Sequence, residues 1–159
     1  MNDVPGLTHV RADGSAHMVD VSAKAVTARS ASASGRVLLA PGAVAALRAG
    51  TLAKGDALAV ARVAGIAAVK RTPELIPLAH PIAVHGVEVD LDIVADGVAI
   101  TATVRTADRT GIEMEALTAV AVTALTVIDM TKAVDRHGRI TDIRVTAKSG
   151  GRSGDWSDS

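Results

Sequence analysis

Two neighbouring segments of alternating residues constrain the fold of this chain more than any other feature. Over residues 87–94, apolar residues alternate with acidic ones, and residues 95–97 have the composition of a tight turn. A similar alternation continues over residues 98–106. A strand with one buried and one solvated face shows this period of two. The pair therefore predicts a β-hairpin, and with it an antiparallel sheet that packs one face on a core.

Further elements are predicted on both sides of the hairpin. A strand over residues 36–40 leads into a short helix that ends at about Arg48, and a helix covers residues 54–70. A long helix follows over residues 112–134, and a last strand over residues 140–147. This order predicts an α/β (α+β) chain of the ferredoxin-like βαββαβ type, an antiparallel sheet with two main helices on one face.

The apolar residues predict how the helices pack. The helix over residues 54–70 is apolar around most of its circumference, so it needs cover on several sides. The chain has no Phe or Tyr and only one Trp, so its core consists mainly of small aliphatic residues that gain from a shared interface. Both features predict a homo-oligomer. The long helix is predicted to have one apolar stripe at helical spacing: Met114, Leu117, Ala121, Leu125 and Ile128.

The length of 159 residues fits one domain, predicted to span residues 1–159. Residues 1–34 are small and polar and are predicted to form a mobile arm, and residues 149–159 a tail. Residues 71–81 contain three prolines, which exclude a long helix or a central strand. This segment is therefore predicted to be a structured connection.

Charge and composition exclude several function classes. Basic and acidic residues number 17 each, so no overall field attracts nucleic acid or an anionic membrane, and the aromatic residues that stack on bases are missing. The absence of cysteine excludes disulfides, thiolate nucleophiles and cysteine-bound metals. The sequence starts without the pattern of a signal peptide, which predicts a cytoplasmic protein.

Polar residues at element boundaries are candidates for a site, and each has a structural alternative. Lys54 begins a predicted helix and can contact phosphate, or it simply meets solvent. His80 lies in the proline-rich connection, where a histidine is either functional or structural. Glu113 and Glu115 are two residues apart at a helix start, so they face different directions and cannot form one carboxylate pair. Complementing the helix dipole is their alternative role.

The end of the long helix carries a second group of candidates. Asp129 and Lys132 are three residues apart, so they are neighbours on the helix, and Lys132 continues the apolar stripe. A lysine that is partly desolvated beside a carboxylate can transfer protons; a surface ion pair is the alternative. Residues 148–154 combine Lys148 and Arg152 with glycines and hydroxyls, and form either a phosphate-binding loop or a flexible tail.

Several residue strings in this chain are specific in combination. They are Leu7-Thr8-His9, Ala16-His17-Met18-Val19-Asp20-Val21-Ser22, Lys54-Gly55-Asp56, Ala64-Gly65-Ile66, Leu75-Ile76-Pro77-Leu78, His80-Pro81, Thr110-Gly111-Ile112-Glu113-Met114-Glu115-Ala116-Leu117-Thr118, Asp129-Met130, Lys132-Ala133-Val134 and Lys148-Ser149-Gly150-Gly151. Through these strings the sequence resembles the MoaC family along its whole length. Ala79 departs from the family pattern, in which a cysteine commonly precedes His-Pro, so a thiol at this point is not essential here.

The resemblance implies a lyase, a cyclic pyranopterin monophosphate synthase of molybdenum cofactor (molybdopterin) biosynthesis. Such an enzyme rearranges cyclic dihydro-GTP, the product of a preceding radical enzyme, into a pyranopterin and closes a cyclic phosphate with release of diphosphate. The catalytic roles that the resemblance implies fall on Asp129, Lys132, Glu115, His80 and Glu113. The substrate-binding roles that it implies fall on Lys54, His80, Glu113, Met114, Glu115 and Lys148. Release of diphosphate also needs cations, which suits Lys54, Lys148, Lys70 and Arg152.

The resemblance also implies an assembly. It implies a homo-hexamer, a trimer of dimers with the active site at the dimer interface, and a transient contact with the upstream radical enzyme. We expect Lys54 and Lys132 to reach that site from different subunits. No obligatory cofactor and no resident metal is expected, and Mg²⁺ accompanying the triphosphate is compatible with the chemistry. Two rival interpretations are a ferredoxin-like regulatory module that binds a nucleotide without catalysis, and a structural oligomer that binds none.

Overall fold

The computed structural model describes residues 9–158, so Leu7 and Thr8 of the family strings lie outside the described residues. The described chain forms five strands and four helices. They are β1 (Thr27–Leu38), α1 (Pro41–Ala49), α2 (Ala57–Val69), α3 (Thr72–Leu75), β2 (Val84–Val94), β3 (Gly97–Asp108), α4 (Glu113–Thr131), β4 (Arg139–Ser149) and β5 (Trp156–Ser157).

The strands form one antiparallel sheet in the order β2-β3-β1-β4-β5. The hairpin predicted from the alternation is β2 and β3, which pair from Val94 opposite Gly97 outwards. Gly97 has a φ of 150°, and a Cβ atom there would collide with the carbonyl oxygen of Val37 on β1. Glycine is therefore required where the hairpin meets the central strand. The first four strands have the ferredoxin-like arrangement, which confirms the predicted fold class.

Two long helices cover one face of this sheet. Helix α4 packs on β1, β3 and β4, and α2 lies against α4 and β2. The two helices approach closely at Gly65, where a Cβ atom would collide with the hydroxyl of the buried Thr123. The face of α4 that meets the core consists mainly of small residues: Ala116, Ala119, Val120, Thr123, Ala124 and Val127.

The predicted apolar stripe of α4 is wrong for two of its five members, which face solvent. Met114 and Leu125 are exposed, at 40% and 58%, while the residues that face the sheet are mostly alanine, valine and threonine. The physical reason is the close approach of α2 at Gly65, which leaves room for small side chains only. Met114 and Leu125 lie on the opposite face of the helix, while Leu117 and Ile128 are partly buried against the core.

Several predicted boundaries also need correction. Strand β1 begins at Thr27, within the segment predicted to be an arm, and pairs with β3 from its first residue. Strand β4 extends to Ser149, and β5 pairs with it inside the predicted tail. The proline-rich connection contains the short helix α3, which begins at Thr72 with a proline in its first turn.

Among the described residues, one helix has the length and composition of a membrane span. This is α4, and 56% of its apolar window is buried inside the protein. Because the helix packs on three strands of the sheet and on α2, it has the surroundings of a core helix.

Candidate active site

A cavity of about 390 Å³ opens at the N-terminal end of α4. Its walls come from the segment before β1, from the connection that holds His80, and from the first turn of α4. The lining side chains include two histidines, two carboxylates and one lysine: His9, His80, Glu113, Glu115 and Lys24. The cavity therefore collects groups that transfer protons and a cation that can meet a negative charge.

His80 has a defined orientation in this cavity. Its Nε2 atom lies 2.6 Å from the carbonyl oxygen of Val19. A carbonyl oxygen only accepts hydrogen bonds, so Nε2 carries the hydrogen, and Nδ1 of the neutral ring keeps the lone pair. Pro81 follows directly and favours an extended backbone at His80. The histidine can thus offer Nδ1 as a base without changing its contact to Val19.

Glu113 forms an ion pair at the edge of the cavity. Lys148, near the end of β4, donates from Nζ to Oε1 of Glu113 at 2.6 Å, and both side chains are mostly shielded from solvent. Gly111 makes room for this carboxylate, because a Cβ atom there would collide with it. The ion pair joins the last long strand to the start of α4 and keeps a cation beside the cavity.

Glu115 lies deeper and behaves differently from Glu113. Only 2% of the residue is exposed. Burial raises the pKa of Glu115 to about 7, and the nearby carboxylate of Glu113 also raises it. A carboxyl group with this pKa is partly protonated at neutral pH, so it can donate or accept a proton there. Although the two glutamates are two residues apart at the start of α4, both border the same cavity.

A second cluster of candidates lies at the opposite end of α4. Asp129 accepts hydrogen bonds from Nζ of Lys132 on Oδ1 at 2.6 Å and from Nζ of Lys54 on Oδ2 at 2.7 Å. The hydrogen bond from Lys132, followed by that from Lys54, lowers the pKa of Asp129 to about 2. More than 40% of each of the three side chains is exposed. Of the two alternatives for Lys132, the single chain therefore shows the exposed ion pair and not the partly desolvated lysine.

The two clusters are too far apart to act together within one chain. Glu113 and Asp129 are the first and the seventeenth residues of α4 in order, which corresponds to about 24 Å along a helix axis. Lys54 and Lys132 meet on one carboxylate within one chain, so the expectation that they come from different subunits is wrong. Lys54 precedes α2, and the close packing of α2 on α4 brings it to Asp129.

The remaining predicted residues lie outside both clusters or at their rims. Met114 lines the cavity near the start of α4. Lys70 directly follows α2, and Arg152 follows the glycines after β4; both are exposed, and neither lines the cavity. Prediction from the sequence missed Lys24 as a wall of the cavity. The family string at residues 16–22, just before it, is the signal that pointed to this segment.

The described residues contain no group of three or more histidine or acidic side chains that could hold a metal ion. The candidate groups are instead paired with lysines or with the backbone. The chemistry that the described side chains offer is proton transfer and binding of anions.

Comparisons with known proteins identify the family of this chain. The model of the MoaC family matches residues 18–151, so the chain belongs to the MoaC family. A cyclic pyranopterin monophosphate synthase of Streptomyces coelicolor is 65% identical over 94% of this chain and 88% of its own. A protein of the same name from a Nocardioides species is 62% identical over 99% of both chains. Cyclic pyranopterin monophosphate synthase 3 of Mycobacterium tuberculosis is 61% identical over 98% of this chain and 89% of its own.

Proposed function

We propose that this chain is a cyclic pyranopterin monophosphate synthase, a lyase of molybdenum cofactor biosynthesis. The observation that carries the proposal is identity of 61–65% to synthases over nearly the whole chain. The substrate is cyclic dihydro-GTP, and the products are cyclic pyranopterin monophosphate and diphosphate. The same identity favours an enzyme over a regulatory module that binds a nucleotide without changing it.

The cavity offers side chains for the proton transfers of this reaction. Rebuilding a purine ring as a pyranopterin requires protons to move to and from ring atoms near neutral pH. Glu115, with a pKa of about 7, and His80, with Nε2 held by Val19, are suited to these steps. Lys24 and Lys148 supply positive charge at the rim, where a polyphosphate chain needs it.

We propose that the cluster of Lys54, Asp129 and Lys132 takes part in a site shared by two subunits. About 24 Å of helix separates it from the cavity in its own chain, so it serves the cavity of a partner instead. Lys54, Asp129 and Lys132 carry a net charge of about +1 together when all three are ionised. Such a cluster matches the negative charge of a nucleotide triphosphate bound at the partner's Glu113 end.

Exposed apolar residues support an oligomer. Val60 and Val63 on α2 are 46% and 66% exposed, and Leu125 on α4 is 58% exposed. These three residues lie on the long helices, on faces that the chain itself does not cover. A second copy of the chain would remove this apolar surface from water. A hexamer built from three dimers stays a proposal, as does a transient contact with the upstream radical enzyme.

The proposal includes a cytoplasmic location and no resident cofactor, with Mg²⁺ entering only on the triphosphate of the substrate. If this is so, removal of free divalent ions changes the KM more than the kcat. Titration of Mg²⁺ against product formation measures both constants.

Reconstitution tests the proposed activity. The purified protein is incubated with the radical enzyme, GTP and the reductant of that enzyme, and the products are separated by mass. Formation of cyclic pyranopterin monophosphate and of one diphosphate per product supports the proposal. If cyclic dihydro-GTP instead accumulates, bound but unchanged, the protein is a regulatory module. If no nucleotide binds at all, the protein is a structural oligomer.

A further inference from the structure

One wall of the cavity is a segment without regular secondary structure that precedes β1. Residues 18–24, which we name the strap, connect the Val10–Ala16 bridge to β1 and belong to no helix or strand of the described chain. Val19, Val21 and Lys24 of the strap line the cavity beside Glu115. On its other side the strap borders a second depression that includes Asp108 and Arg109. The strap is therefore the partition between the two.

Two side chains from elsewhere in the fold hold the strap. Near its start, His80 donates from Nε2 to the carbonyl oxygen of Val19 at 2.6 Å. At its end, Arg109 donates from Nε to the carbonyl oxygen of Lys24 at 3.0 Å. Between these points the strap has local turns only, with Lys24 N donating to Val21 O at 3.0 Å. The position of Lys24 in the cavity wall thus depends on Arg109.

Arg109 itself is fixed from two sides. Its backbone N–H donates to Oδ1 of Asp108 at 2.7 Å, and the other oxygen of Asp108 accepts from Ala83 N at 3.2 Å. Arg29 on β1 donates from Nη2 to the carbonyl oxygen of Arg109 at 3.1 Å and from Nε to that of Asp108 at 3.0 Å. This corner connects β1, the His80 segment, the strap and the turn that leads into α4.

We propose that Arg109 is a positioning residue of the synthase, which holds Lys24 and the strap against the cavity through the Lys24 carbonyl. This inference rests on the proposed function, and assigns Arg109 no contact with the substrate. Without the guanidinium, the strap is released at its Lys24 end but stays attached to His80 at its Val19 end. Substrate binding then weakens, while the orientation of His80 is kept.

The test compares Arg109→Ala with the wild type in steady-state kinetics. The loss of one hydrogen bond from a charged donor is expected to raise the KM about tenfold, with the kcat changed less than about threefold. Arg105→Ala is the matched control. Arg105 lies on β3, four residues before Arg109, but its guanidinium forms an exposed ion pair with Glu88 and no hydrogen bond with the strap. Both constants should stay at the wild-type values in this control.

Hydrogen exchange of the substrate-free protein separates positioning from direct contact with the substrate. In Arg109→Ala the amides of the strap should exchange at least about tenfold faster than in the wild type, and those of β2 at an unchanged rate. An unchanged KM, or a raised KM with unchanged exchange in the strap, would overturn the inference. If the wild type forms no product while the exchange result is as expected, the proposed function is wrong, but the role of Arg109 in holding the strap is supported.

Discussion

The two ends of α4 carry the same kinds of side chain in opposite surroundings. At the N-terminal end Glu115 is 2% exposed, and burial raises its pKa to about 7. At the C-terminal end Asp129 has a side chain that is 52% exposed, and two lysines lower its pKa to about 2. A carboxyl group is therefore tuned by desolvation at one end and by ion pairing at the other. We call the buried N-terminal end with Glu115 the enclosed end, and the exposed C-terminal end with Asp129 the open end. The open end lacks the enclosure that catalysis requires, and a partner subunit can provide it.

The largest effect is expected from the open end. Lys132→Ala removes a proposed proton-transfer group, so turnover should fall about 10²–10⁴-fold. The melting temperature should change little, because Lys132 forms an exposed ion pair with Asp129 at the end of α4 and supports no packed aliphatic layer. Asp129→Ala should behave similarly. Diphosphate release and a thermal melt measure the two properties.

Arg36→Ala provides the matched control for the Lys132 variant. Arg36 forms an ion pair of 2.6 Å with Asp96, with exposure similar to that of the Lys132–Asp129 pair. Exposed pairs of this kind contribute little to stability, so this variant should keep wild-type turnover and melting temperature. Wild-type turnover in Lys132→Ala would remove the open end from the catalytic account.

The enclosed end is expected to show a pH effect on stability. Because the folded-state pKa of Glu115 lies above the value of 4.5 for an unperturbed glutamate, the contribution of Glu115 to stability falls as the pH rises from about 4.5 to about 7. Glu115→Gln should remove this dependence and raise the free energy of unfolding at pH 8 by about 1–3 kcal/mol. It should also lower turnover about 10²-fold.

Urea unfolding at several pH values, at one protein concentration, measures the Glu115 effect. Glu113→Gln is the comparison variant, since it breaks the partly buried ion pair with Lys148 and should lower stability at pH 8. A Glu115→Gln protein that is less stable than the wild type at pH 8 would show that the carboxylate is ionised and satisfied in the folded protein.

A smaller effect is expected where α2 crosses α4. Gly65→Ala places a methyl group against the hydroxyl of Thr123, so the helices must separate slightly. This should lower the free energy of unfolding by about 1–3 kcal/mol. This separation should also weaken the Lys54–Asp129 contact. Turnover should therefore fall, but by less than in Lys132→Ala. Urea unfolding checks the stability. Gly42→Ala is the control, because a Cβ atom at Gly42 meets nothing within 4 Å.

The fold could be predicted where periodicity is strong, and the site only in part. The alternation over residues 87–106 predicts β2 and β3 because each strand has one wet face. The core-facing side of α4 was not predicted, since close helix packing selects small residues over Leu125. The contact of Lys54 with Asp129 and the tether of Lys24 by Arg109 join residues 75 and 85 positions apart, which no local pattern reveals.

One measurement tests the division of the site between two subunits most directly. Lys132→Ala alters the open end and Lys148→Ala the enclosed end, and each variant alone should be inactive. When the two are unfolded and refolded together, random pairing should leave about a quarter of the sites intact if each site takes its two ends from different chains. Activity near a quarter of the wild type, with mixed oligomers confirmed by mass spectrometry, is the predicted result. Mixed oligomers with no activity above that of the separate variants would contradict the account.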